Sequence, residues 1–245
     1  MTARPRIKVM RTPGQWTCLM SLAMAASHAA AQPGSLQGVW VMDVRGAWEG
    51  LEPTAAAVQA IDAFDRSVDD PSMRCLPPGL IRTAENRAPV EFIEQAHQIL
   101  IVYESFDVLR RIHLDGRQAP ERLPLSPLGY SAGAWEGDEL VVETTHLTPM
   151  LLYDDGFPFS GAPDTRIVER YRRSGERLEL EFTVEDPVNL RGPASRIMTF
   201  DAAPDTLLLH FLCDPLDATG WRLRATGDPL RDLLRWLDLR PPIPR

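Results

Sequence analysis

Residues 129–147 read GYSAGAWEGDELVVETTHL, and the way this stretch pairs with itself decides the fold. Gly137-Asp138 has the composition of a two-residue hairpin turn, with glycine where a positive φ is needed. Pairing outward from that turn sets Glu136 opposite Glu139, Trp135 opposite Leu140, Gly133 opposite Val142 and Ser131 opposite Thr144. Trp135, Leu140, Gly133, Val142, Ser131, Thr144 and His146 then share one face, apolar near the turn and polar at its far end. Glu136, Glu139, Ala134, Val141, Glu143 and Tyr130 share the wetter face. On this register Trp135 is a deep wall, and Ser131, Thr144 and His146 look into the interior. A one-residue slip, or a bulge at Gly133, would exchange the faces and bring Tyr130 inside in place of Ser131. Glu136 and Asp138 stand at a solvated turn, so the Trp-Glu-Gly-Asp element is read as structural. Gly129, Ser131 and Gly133 spell a nucleophile elbow, but an elbow needs a strand-to-helix turn and this serine lies in a hairpin strand.

Outward from the hairpin, most of the chain reads as strands. SLQGVWVMDV (35–44), the two apolar runs either side of Glu104–Asp107, TRIVERYRR (165–173), ERLELEFTVED (176–186), ASRIMTFDA (194–202) and TLLLHFLCD (206–214) are short runs at close spacing. In 176–186, Leu178, Leu180, Phe182 and Val184 fall on one face. This pattern predicts a mainly β fold: a single antiparallel β-barrel or strongly curved sheet of about eight strands. One or two peripheral helices go with it. Residues 53–68 place Val58, Ile61, Phe64 or Asp65, and Val68 near one face, with Thr54 as cap. DPLRDLLRWLDL (228–239) has a capping Asp228, Pro229 at the first helical position and a leucine stripe, ahead of a Pro-rich tail.

Arg4, Arg6, Lys8 and Arg11, the short apolar run 16–26 and Ala29-Ala30-Ala31 follow the order of a secretory signal. Residues 1–31 are therefore expected to be a leader cut after Ala31. Residues 32–245 are expected to form one domain delivered to the periplasm or secreted, without stable membrane insertion. The net charge of −8 is carried by a chain whose leader is its most basic part, which argues against nucleic-acid binding. The sequence does not set the oligomeric state. Removing the leader leaves Cys75 and Cys213. They are read either as a disulfide of an oxidising compartment or as two separate buried thiols. Neither has a second ligand at metal spacing, and no phosphate loop or dinucleotide fingerprint is present, so no metal or cofactor is expected.

The connection after the hairpin, LTPMLLYDDGFPFSGAPD (147–164), carries Leu151, Leu152, Tyr153, Phe157 and Phe159 around Asp154-Asp155-Gly156. Long connections with apolar content of their own are packed lids or ligand-contacting segments, or else loops that merely cover an open barrel end, and both readings stand here. Tyr153, Asp154 and Phe157 are therefore expected to close over Ser131, Thr144 and His146. Arg110 and Arg111 alternate faces in an apolar strand, so one of them points inward and needs a carboxylate or a ligand anion; Arg111 is carried as the ligand candidate.

These residues also carry a resemblance. Gly129-Tyr130-Ser131, Gly133, Trp135–Asp138, Leu140-Val141-Val142 and Thr144 resemble the GHSxGxWEGDTLVVxT core of a family of uncharacterised exported bacterial proteins. Arg111-Ile112, Asp115-Gly116-Arg117, Cys75-Leu76-Pro77, VERYRR and FTVEDP resemble further elements of it. The resemblance implies an exported, lipocalin-like β domain and names no activity. Cys213 falls where the family has a cysteine near its last strand, which with Cys75 implies a Cys75–Cys213 disulfide. The chain departs from the family at Tyr130 and Phe159, where relatives carry histidine; a tyrosine titrates too high to serve as a general base near neutral pH.

Three functions fit. One is a binding module that holds a small apolar or aromatic molecule in the lumen, contacted by Tyr130, Ser131, Trp135, Thr144, Tyr153, Phe157 and Arg111. The second is a cofactor-independent lyase, isomerase or cyclase using His146 and Asp154 as an acid–base pair at the barrel mouth. The third is a structural envelope protein without ligand. The binding module is preferred.

Overall fold

A computed structural model describes residues 34–153 and 155–213. The leader, Asp154 and the 229–238 helix read from the sequence lie outside the described residues. The strands are β1 Gly38–Arg45, β2 Val90–Gln95, β3 Gln98–Tyr103, β4 Val108–His113, β5 Tyr130–Glu136, β6 Glu139–Thr145, β7 Met150–Leu151, β8 Pro158–Phe159, β9 Arg166–Ser174, β10 Arg177–Glu185 and β11 Ala194–Ala202. Helices α1 Ala55–Ala63, α2 Arg66–Asp69 and α3 Leu80–Ala84 lie between β1 and β2.

Nine strands close into a barrel in the order β1-β11-β10-β9-β6-β5-β4-β3-β2, and β2 returns to β1. β7 and β8 form a separate small hairpin. The fold is mainly β and closed, as the alternation implied, with two differences. β2 is a strand that the sequence reading passed over. The β4–β5 contact is parallel, pairing Ile112 with Ser131 and His113 with Ala132. It is parallel because residues 114–129 carry the chain back to the level of Leu147, where Ser126 bridges to it, before β5 starts.

The hairpin has the register read from its turn: Tyr130 faces Thr145, Ser131 faces Thr144, Gly133 faces Val142 and Trp135 faces Leu140. No bulge displaces it. Alternation then sends Leu140, Val142 and Thr144 inward, together with Leu178, Leu180, Phe182 and Val184 of β10. Trp40, Phe92, Ile99, Ile101 and Ile112 complete a continuous apolar interior. Each such side chain contributes about 1.5–3 kcal/mol on burial. One barrel end has short turns. The other is covered by α3, whose Leu80 and Ile81 are fully buried, and by Leu152, Phe157 and Phe159 of the long connection. On the outside, Glu136, Arg170, Glu139, Arg172 and Glu179 form an ion-pair ladder across β5, β6, β9 and β10. Such exposed pairs are worth under about 1 kcal/mol each, which gives the acidic part of Trp-Glu-Gly-Asp a structural role.

Two local readings are corrected. Thr54 does cap α1, its hydroxyl accepting the Ala57 N–H at 3.2 Å. The helix stops at Phe64, however, because Asp65 caps a new one. Val58 and Val68 are exposed at 43% and 58%, and Ala57 is the residue that α1 buries. Residues 206–213 form no strand: β11 already has β10 and β1 on its two sides, so no edge is left to pair with. That segment instead lies against the turn between β3 and β4. Leu209 N–H donates to Glu104 and Phe211 N–H to Asp107, and the Phe211 ring meets Phe106.

The first glycine of the GYSAG stretch is held by geometry. Gly129 has φ +63°, and a Cβ there would lie 2.3 Å from the Thr145 carbonyl oxygen. Gly129→Ala is expected to destabilise by more than about 1 kcal/mol, read from urea midpoints; an unchanged midpoint would show that the β5 entry relaxes freely.

Candidate functional site

The inward end of the hairpin meets a charge. Arg110, not Arg111, points into the barrel; it is 2% exposed, whereas Arg111 lies on the exposed outer face. Arg110 Nη1 donates to Glu169 Oε1 at 2.8 Å and Nη2 to Glu169 Oε2. Its Nε donates to Ser131 Oγ at 3.1 Å, and Nη2 also donates to Thr144 Oγ1 at 2.9 Å. Tyr171 Oη donates to Glu169 Oε1 at 2.7 Å. All three guanidinium nitrogens thus meet protein acceptors. Burial would lower the Arg110 pKa, but Glu169 reverses this and holds it well above its usual value. Burial pushes the neighbouring Tyr103 phenol up to about 12 and the Tyr171 phenol well above its ordinary range. The cluster is internally satisfied. Ser131 and Thr144 face inward as read, yet they serve Arg110 rather than an open space.

Two other expected positions differ, Trp135 and His146. Trp135 is 38% exposed. Pairing of β5 with β4 ends at Ala132, so the hairpin tip overhangs the barrel rim. His146 leaves the strand alternation with φ +58°. It lines an outer groove of about 300 Å³ with Arg117, Tyr130, Glu143 and Thr145, its Nδ1 lying 2.9 Å from Thr145 Oγ1. Tyr130 is on the outside too, stacked on His113 and donating from its hydroxyl to the Arg117 carbonyl at 3.0 Å. Tyr130 and His146 therefore come together, but away from Ser131 and Thr144. Phe157 is buried as part of the end cover. Tyr153 is half-buried, its ring 5.1 Å from the Arg196 guanidinium. Asp154, the proposed partner of His146, lies outside the described residues.

The covered end holds features that the sequence reading missed. Arg196 is buried between the rings of Trp48 and Tyr153 and donates to Glu85 Oε1. Burial raises the Glu85 pKa, against the opposing pull of Arg196. Asp70, fully buried, accepts both Nη groups of Arg82, at 2.9 and 3.0 Å. Burial pushes Asp70 up, but the Arg82 and Ser72 hydrogen bonds outweigh it, so its pKa is lowered. Asp186, in FTVEDP, accepts the N–H and hydroxyl of Ser160, both at 2.8 Å, and pins the end of the long connection.

On the flank of this end an apolar cleft of about 490 Å³ runs between Leu76, Pro77, Pro78 and Gly79 on one side and Pro149, Met150 and Leu151 on the other, with Pro127 also lining it. Gly79 allows the two walls to approach: a Cβ there would lie 2.7 Å from Met150 Sδ. Cys75, adjoining the first wall, is disulfide-bonded to Cys213 with Cα atoms 5.8 Å apart.

No family model and no curated protein matches the chain. Among solved structures it is similar to zebrafish ileal bile acid-binding protein complexed with cholic acid, at 12% identity over 68% of this chain and 98% of that one, with a TM-score of 0.36. It is also similar to fatty-acid-binding protein 1 of Echinococcus granulosus, at 13% identity over 69% and 97% of the two chains, with a TM-score of 0.35. A third is an abundant heat soluble protein of Ramazzottius varieornatus, at 12% identity over 71% and 98%, with a TM-score of 0.35.

Proposed function

We propose that this chain is an exported binding protein for a small apolar or aromatic molecule, of the family its Trp-Glu-Gly-Asp core resembles, and that the molecule sits in the proline-lined cleft rather than in the lumen. The observation that carries the reading is the contrast between the two places. The barrel interior is a continuous apolar cluster around an arginine whose acceptors are all protein groups. The cleft has a volume of about 490 Å³ and walls mainly of proline, leucine and methionine, with Asp69 and Thr148 also lining it, within the range of small-molecule sites. Proline walls lose little freedom on binding, so the site is pre-organised. Met150 supplies an adaptable, polarizable contact on the opposite wall.

The test is a thermal-shift screen of the mature protein with apolar and aromatic metabolites, followed by titration of any hit against Leu76→Asp. Leu76 is half exposed, so the variant folds, yet it sets a carboxylate in an apolar wall. Affinity is expected to fall at least about tenfold, or about 1.4 kcal/mol. A hit that binds Leu76→Asp unchanged would move the site elsewhere.

A further inference from the structure

A second cavity lies at the same end, and its chemistry is the opposite of the cleft's. It holds about 150 Å³ and is lined by Arg45, Arg82, Glu85, Asn86 and Tyr153. We propose that it is a binding site for a small oxyanion, such as a carboxylate or inorganic phosphate.

The donors outnumber the acceptors. Arg45 and Arg82 contribute guanidinium groups and Tyr153 a hydroxyl. The Asn86 Oδ1 accepts the Ala88 N–H at 3.0 Å, which leaves the amide NH₂ to donate. The lining residue that carries negative charge is Glu85, and Arg196 already donates to it. The charge count points the same way. Among the described residues, Arg45, Arg82 and Arg196 are connected through ion pairs to two carboxylates, Asp70 and Glu85. Three guanidinium groups thus meet two carboxylates, and an anion reduces that excess. Arg45 is the adjustable arm: its side chain is 45% exposed, and its guanidinium is 3.9 Å from Glu85 Oε2. A planar guanidinium in that position suits bidentate capture of an oxyanion. The rest of the frame is rigid, since Arg196 is clamped by Trp48 and Tyr153 and Arg82 by Asp70.

Glu85 adds a pH dependence. It is faced by Arg196 of β11, Arg45 of β1 and Arg82 of α3, with Asn86 and Tyr153 across the cavity. Burial shifts its titration upward. Below that titration it is neutral and can donate to a bound anion; above it, it repels one. Anion affinity should therefore weaken as the pH rises through the titration of Glu85.

Acetate, inorganic phosphate and methanesulfonate are the probes, titrated into the mature protein and followed by calorimetry and amide chemical shifts. At least one should bind with a Kd below about 10 mM. Acetate against phosphate separates a carboxylate site from a phosphate site. Arg45→Gln, a change at a half-exposed side chain, should weaken binding at least about tenfold, and Leu76→Asp should leave it unchanged. Methanesulfonate keeps one charge throughout, so its affinity should fall as the pH rises through the titration of Glu85. Glu85→Gln should flatten that profile; if this variant does not fold, the wild-type profile carries the point. Absence of binding by all three anions, full affinity in Arg45→Gln, or a flat methanesulfonate profile in the wild type would each overturn the proposal. The cleft reading is untouched by any of these results, because its own variant is Leu76→Asp.

Discussion

Glu169→Gln should lower stability by about 3–5 kcal/mol, the cost of leaving a buried charge without its partner. The glutamine keeps the shape and one acceptor but removes the countercharge of Arg110, whose side chain is 1% exposed against 0% for Glu169. Ser131, Thr144 and Tyr171 are neutral and cannot replace it. For a domain of this size, 1 kcal/mol corresponds to roughly 2–4 °C in Tm, so the melting point should fall by about 10 °C. The double variant Arg110→Met, Glu169→Leu should recover much of the loss, because replacing both partners by apolar groups removes the desolvation penalty along with the attraction. A single variant that melts within about 2 °C of wild type would mean that water reaches Arg110 and that the interior is less dry than its packing indicates.

That pair also shows what could be read from the sequence. Arg110 stands on the inward phase of β4, between Val108 and Ile112. Glu169 stands on the inward phase of β9, between Ile167 and Tyr171. A charged residue on the apolar phase of a strand is a visible signal, and it marks one of Arg110 and Arg111 as inward; the inward one is Arg110, not the ligand candidate Arg111. For Glu169 it passed unnoticed inside VERYRR. The match of the two across the barrel was beyond reach, because β4 and β9 are not neighbours in the sheet. The hairpin register was legible because a two-residue turn determines every pair after it. His146 was misplaced because alternation was extended one residue beyond Thr145, into a left-handed residue that a period of two cannot anticipate. The Glu85–Arg196 pair joins residues 111 apart, and the apolar cleft is built from proline-rich connections with no periodicity, so neither could be read from pattern. Of the two readings of the long connection, Phe157 and Phe159 match the cover of a barrel end: they fill the end of the core.

Loss of the Cys75–Cys213 disulfide should be comparably severe. It closes a sequence separation of 138 residues, for which chain-entropy arguments give about 5 kcal/mol, with measured effects commonly 2–5. The paired Cys75→Ala, Cys213→Ala variant should therefore melt well below wild type. The damage should also have a location. Residues 206–213 pair with no strand and are held by the disulfide, by the Leu209 and Phe211 N–H groups donating to the Glu104 and Asp107 carboxylates, by His210 Nδ1 lying 2.7 Å from Asp107 Oδ2, and by the contact of Phe211 with Phe106. Leu207, Leu209 and Leu212 are largely exposed and contribute little packing. Without the cross-link, opening this segment no longer requires disturbing residues 71–79, and its local free energy falls towards that of a mobile loop. Hydrogen exchange should accelerate at the Leu209 and Phe211 amides by far more than at Leu180 and Phe182 in the middle of β10, when both are compared under conditions where the variant remains folded. Equal acceleration at all four amides would show that the disulfide acts only through the unfolded chain. Unchanged exchange at Leu209 and Phe211 would show that the contacts to Glu104, Phe106 and Asp107 hold the segment unaided.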